Sequence, residues 1–177
     1  MLLKKVEISQ KSDVDFIEQI YIESFPPNER RPVVEFLRLL QDDKTFTVYL
    51  ILDDDKRVGF LTTWTFDTFI YAEHFAIAPE YRSAGYGKEV MEAFIGQTTL
   101  PIILEVETPE NELAKRRIAF YERVGFKAWN IPYTQPAYEE KYGPVPMVLM
   151  TYRTIALDKL FDNIKSLIYK KVYNVNA

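Results

Sequence analysis

The stretch that most constrains this chain is residues 71–96, YAEHFAIAPEYRSAGYGKEVMEAFIG. An apolar run, Phe75-Ala76-Ile77-Ala78, is stopped by Pro79, and a charged turn carrying Arg82 leads into Gly85-Tyr86-Gly87. Val90, Met91, Phe94 and Ile95 then recur on one helical stripe. The order is strand, glycine turn, helix. Glycines at i and i+2 directly before a helix keep side chains away from the orphan N–H groups and the positive end of the helix dipole, so a phosphate can approach closely. An ordinary strand-to-helix turn uses the same residue types, and the glycines alone leave both readings open.

Two common phosphate loops do not fit. A dinucleotide loop requires Gly or Ala where Val90 stands, and a mononucleotide loop requires Gly in place of Arg82 and Ser or Thr in place of Glu89. The run Arg82-Ser83-Ala84-Gly85-Tyr86-Gly87 instead resembles the R/Q-x-x-G-x-G/A signature of the GNAT superfamily of acetyl-CoA-dependent N-acetyltransferases. A second run, Ile118 to Phe126 (IAFYERVGF), resembles the late motif of the same family and follows at the family's spacing. The resemblance covers about Leu3 to Thr151, most firmly Glu73 to Phe126.

Composition sets the remaining bounds. With 177 residues, 47% hydrophobic and 15% aromatic, the chain is long enough to bury a substantial core as one domain. It has no cysteine, which excludes disulfides, thiolate metal sites and a cysteine nucleophile, and a single histidine argues against a metal centre. No metal is expected. The opening MLLKKVEIS lacks the long apolar region of a signal peptide, and no run reaches the length of a membrane span, so a cytoplasmic location without membrane attachment is expected. A net charge of −4 argues against general nucleic-acid binding and favours a cationic or neutral small partner.

Periodicity predicts the elements in order. Met1 to Ser9 reads as a short strand, and Ser12 with Asp15 as a capping box for a helix carrying Phe16, Ile17, Ile20 and Tyr21. A rigid loop, Pro26 to Pro32, precedes a second helix with Val33, Phe36, Leu37 and Leu40 inward. Thr45–Leu52 and Val58–Phe66 form a hairpin around an acidic turn, continued by the central strand through Asp67-Thr68. Pro101 to Glu107 is an apolar strand interrupted by Glu105 and Glu107 on one face; Arg116 or Arg117 could pair Glu107, and Glu105 is the better cavity candidate. A helix over 110–124 ends at Gly125, an aromatic stretch spans Lys127 to Gly143 as a packed hairpin or a functional loop, and Val145 to Met150 is the last strand. Leu157, Leu160, Phe161, Ile164, Leu167, Ile168 and Val172 define an amphipathic C-terminal helix, packed on its own domain or at a homodimer contact.

This order predicts an α/β domain over residues 1–154, a mixed and mostly antiparallel sheet flanked by helices, with residues 155–177 as the C-terminal helix. It is similar to the GNAT fold. The resemblance implies acetyl transfer from acetyl-CoA to a primary amine by direct attack, or, alternatively, an acyl-CoA-binding module without turnover. It implies backbone bonds from Phe75, Ala76 and Ile77 to pantetheine, and a pyrophosphate held by Arg82, Ser83, Ala84, Gly85, Tyr86, Gly87 and Lys88. Many family members carry an asparagine where this chain has Ala114; Asn111, one turn earlier, is the nearest replacement. Tyr121 matches the tyrosine that serves many members as general acid. Glu73 and Glu105 are the candidate bases, with the amine expected near them, while His74 reads as a packed strand residue. The segment from Phe25 to Arg31 matches the family's acceptor border.

Overall fold

A computed structural model describes residues 1–153 and 155–175. The expectations for the Leu157 side chain and for residues 154, 176 and 177 lie outside the described residues. The chain divides into two compact units, residues 1–100 and 101–177.

The first unit is an antiparallel meander of β1 (Leu2–Lys5), β2 (Phe46–Asp53), β3 (Lys56–Thr65) and β4 (Ile70–Ile77), with α1 (Lys11–Ser24), α2 (Val33–Asp42) and α3 (Tyr86–Gly96). Asp53 pairs with Lys56, so the acidic segment is a tight hairpin turn, as its length predicts, with Asp54 at φ 51°. Between Leu61 and Thr63 the register against β4 slips, and Thr62 Oγ1 accepts the backbone N–H of His74 at 3.0 Å. Gly59 permits the close strand approach, because a Cβ there would lie 2.2 Å from the carbonyl oxygen of Ala76. The core forms where α1 and α2 meet the sheet: Tyr21 stacks on Phe36 at 4.7 Å and meets Phe60 edge-on at 6.1 Å.

One predicted cap is replaced. The first helix starts at Lys11 with Gln10 at its N-cap, so Ser12 lies inside the first turn and accepts from Arg57 Nη2 at 2.9 Å. The acid that matters locally is Asp13, paired with Lys4 at 2.7 Å and Arg57 at 2.8 Å. The Lys4 hydrogen bond leads the effects that lower its pKa. Ion pairs to β1 and β3 thus outcompete the local box, which acts only within one turn.

In the second unit β8 (Val145–Tyr152) is the hub, pairing antiparallel with β5 (Ile102–Glu107), β6 (Lys127–Ala128) and β7 (Tyr133–Gln135). Pro132 and Pro136 flank β7, and the aromatic stretch, expected as a packed hairpin or a functional loop, supplies two short strands, β6 and β7, that each pair with β8. Helix α4 (Glu112–Arg123) closes through Gly125 at φ 96°, whose N–H donates to Glu122 O at 3.0 Å while Phe126 N–H donates to Tyr121 O at 3.0 Å. Helix α5 (Leu157–Lys171) buries Ile164 and Ile168, with Val172 and Tyr173 buried just beyond its end. The expected α/β class is observed, with eight strands, mostly antiparallel, and five α-helices among the described residues. No described helix is long and apolar enough to cross a membrane.

Candidate active site

The glycine turn is built as the sequence suggests, with the helix starting at Tyr86, two residues earlier than a helix placed after Gly87. Gly85 is the N-cap of α3 at φ 88° and ψ −11°, a left-handed conformation that only glycine adopts without strain, and Gly87 is the second helical residue. Ser83 is also left-handed at φ 66°. Among the described residues no side chain caps this helix, and residues 82–85 are exposed, so the first-turn N–H groups face outward as an anion site requires. The space around Gly85 is open, since an added Cβ would touch nothing within 4 Å.

Three contacts anchor this turn. Arg82 folds back, its Nε donating to the Ile77 carbonyl at 2.9 Å and its Nη2 to Ser24 Oγ at 3.1 Å. Tyr86 donates to Asp53 Oδ2 at 2.8 Å, which ties α3 to the β2–β3 hairpin; that bond raises the phenol pKa. Lys88 lies 3.7 Å from Glu92 one turn on. Upstream, Phe75, Ala76 and Ile77 pair with Leu61, Phe60 and Gly59 of β3.

The Glu73 side chain is 1% exposed and bonds the Arg31 guanidinium, which is itself 2% exposed. Trp64 Nε1 donates to its other oxygen at 2.9 Å, and His74 Nδ1 lies 3.6 Å away. Desolvation is the largest single effect and opposes charge, but the Arg31 cation, His74 and the Trp64 hydrogen bond together outweigh it and hold the carboxyl at about 2. Such a group has almost no affinity for a proton at neutral pH. What exposure Glu73 has belongs to its backbone. His74 is buried as expected, edge-on to Tyr21 at 5.0 Å and Phe25 at 4.6 Å, with Nε2 3.2 Å from Glu29 O. The Phe25–Arg31 segment is therefore pinned to β4 through Arg31, a role that no local pattern indicates.

In the second unit, Glu105 of β5 accepts from two phenols, Tyr133 of β7 and Tyr173 beyond α5, the latter at 2.8 Å. Burial and the Glu105 charge push the Tyr133 phenol upward. Glu107 pairs with Arg117 of α4, the structural pairing anticipated from sequence. Tyr121 is half-buried among Phe120 at 5.0 Å and Phe126 at 5.5 Å, and among the described residues nothing hydrogen-bonds its hydroxyl. Burial is the main cause that lifts its pKa to about 12. Asn111 caps α4, its Oδ1 accepting from Ala114 N–H at 2.9 Å. A groove of about 440 Å³ runs along α4, lined by Lys115, Ile118, Glu122, Trp129 and Val148, and includes none of the expected site residues. Among the described residues no group of three or more His, Asp or Glu could hold a metal ion.

Comparison with known proteins matches this architecture. Residues 44–128 match the family described as the acetyltransferase (GNAT) domain. A GNAT-family protein from Bacteroides thetaiotaomicron superimposes with a TM-score of 0.97 at 38% identity, covering 99% of this chain and 100% of its own. Spermidine N-acetyltransferase from Vibrio cholerae (TM-score 0.66, 16% identity, 86% of this chain and 94% of its own) shares the fold. So does Ard1 from Thermoplasma volcanium (0.59, 21%, 86% and 98%). Comparison with curated proteins finds no match. A GNAT-family match at 38% identity over 99% of the chain, with the family's domain recognised within it, shows that this chain belongs to the GNAT acetyltransferases.

Proposed function

We propose that this protein transfers the acetyl group of acetyl-CoA to a primary amine by direct attack, with Glu105 as the carboxylate serving the acceptor and Tyr121 as the proton donor. The observation that carries the reading is the α3 N-terminus, uncapped by any described side chain and opened by a left-handed Gly85. In this reading its N–H groups hold the pyrophosphate, and backbone groups of Phe75, Ala76 and Ile77 line the pantetheine. Attack on a thioester needs a neutral amine, and deprotonating a lysine-like group with a pKa near 10 costs roughly 4 kcal/mol at neutral pH. A carboxylate that attracts the ammonium ion and accepts its proton offsets that cost.

Glu73 is unsuited to this task. Its carboxyl is held at about 2 and committed to Arg31 and Trp64, whereas the two hydrogen bonds described for Glu105 come from neutral phenols. As the amine adds to the carbonyl, the C–S bond breaks, the thiolate takes a proton, and the proton lost from the acylated nitrogen restores the donor. Tyr121 is suited to protonate the thiolate, because its hydroxyl has no other described partner and stays protonated well above neutral pH. Asn111 is assigned to helix capping. Release of free CoA thiol on mixing the protein with acetyl-CoA and a panel of polyamines, amino acids and peptides tests the reading. Acetyl-CoA binding with no thiol release above the blank across the panel would replace it with a binding module.

A further inference from the structure

Glu105 is gripped from two directions by residues that lie outside the two family motifs. Tyr133 donates to Oε1 from β7, and Tyr173, 68 residues away in sequence, donates to Oε2 at 2.8 Å. The Tyr173 hydroxyl receives a hydrogen bond from Gln135 Nε2 at 2.8 Å, which leaves its own proton to point at the carboxylate. Tyr169 of α5 donates to the Thr134 carbonyl, tying the helix to the strand that carries Tyr133 and Gln135. Both rings are packed, Tyr133 against Phe161 at 6.4 Å and Tyr173 against Tyr138 at 5.1 Å.

We propose that Tyr133 and Tyr173 are positioning residues for acetyl transfer: the two hydroxyls fix the orientation of the Glu105 carboxylate and set its affinity for a proton, which makes the C-terminal segment part of the acceptor site. The inference rests on the assignment of Glu105 above. A hydroxyl that donates to a carboxylate stabilises its charged form, so each phenol makes Glu105 a weaker base that stays ionised, and able to hold an ammonium ion, to lower pH. The ionisable groups around it include Tyr133, Tyr173 and Tyr169, together with Glu107 on the same face of β5, whose charge is offset by Arg117. Phe in place of Tyr133 keeps the packing and loses the donor, and Phe in place of Tyr173 keeps the packing but also removes the acceptor of Gln135 Nε2.

The test is the pH dependence of kcat/KM for the acceptor, measured on the full chain and on Tyr133→Phe, Tyr173→Phe and Gln135→Met. In either phenylalanine variant the acidic limb is expected to move to higher pH by roughly one unit, with KM for acetyl-CoA unchanged. Gln135→Met, which only frees the Tyr173 hydroxyl to rotate, is expected to move it less. Carbon-13 NMR of glutamate carboxyls, with the Glu105 signal assigned by Glu105→Gln, reads the same shift without substrate. If both phenylalanine variants titrate at the wild-type midpoint while Glu105→Gln is crippled, the tyrosines only pack and the inference fails alone. If Glu105→Gln keeps full turnover and an unchanged profile, the assignment of Glu105 fails and takes the positioning role with it.

Discussion

Two strand carboxylates, both candidate bases from the sequence, meet opposite surroundings. Glu73 is neutralised by a buried guanidinium, while Glu105 is held by phenols that carry no charge. Replacing Glu73 by Gln leaves Arg31 buried without its counter-charge and is expected to destabilise the fold by roughly 3–5 kcal/mol, read as a drop in the urea midpoint at constant slope. An unchanged midpoint would remove the ion pair from any structural role. For Tyr121→Phe the expectation is reversed: the ring stays packed between Phe120 and Phe126, so stability holds, while kcat falls about 100-fold or more with acetyl-CoA affinity preserved. Wild-type kcat in that variant would return Tyr121 to the core.

At the scale of elements, the proposed function assigns the cofactor to α3 and the β3–β4 pair. A glutamate at position 87 would sit in the first helical turn, where negative charge favours the helix dipole yet repels a pyrophosphate. Gly87→Glu should therefore melt no lower than wild type and lose acetyl-CoA binding by calorimetry; retained affinity would move the phosphates elsewhere. Gly59→Ala acts through the neighbouring strand. Its methyl group would collide with the Ala76 carbonyl, so β4 must shift at the residues assigned to pantetheine. The expected result is lower stability together with a raised KM for acetyl-CoA.

For the molecule as a whole, acid is the predicted weakness. Glu73 is held at about 2 when folded against an ordinary value of 4.5, and Asp13 is also lowered. A depressed carboxylate contributes stability that is fully present above its unfolded pKa and is lost as pH falls through the folded one. The Glu73 contribution, at most roughly 3 kcal/mol, should thus disappear between about pH 4.5 and pH 2. Urea midpoints measured from pH 6 down to pH 3 should fall for the wild type and fall less steeply for Glu73→Gln. Parallel slopes would show that other groups govern acid unfolding.

Much of this was written in short-range order. The strand, glycine turn and helix of residues 71–96, the two-residue hairpin after Asp53 and the α4 closure at Gly125 depend on contacts within a few residues, where periodicity and backbone sterics are decisive. Local order also carried both family motifs, and with them Tyr121. Folding settled what each carboxylate became. Arg31 and Glu73 are 42 residues apart, and Tyr173 reaches Glu105 across 68, separations over which no pattern in the chain specifies a partner. A charge is costly in the interior until its partner is known, so the division of labour between Glu73 and Glu105 follows from which side chains the packed strands and helices deliver to them.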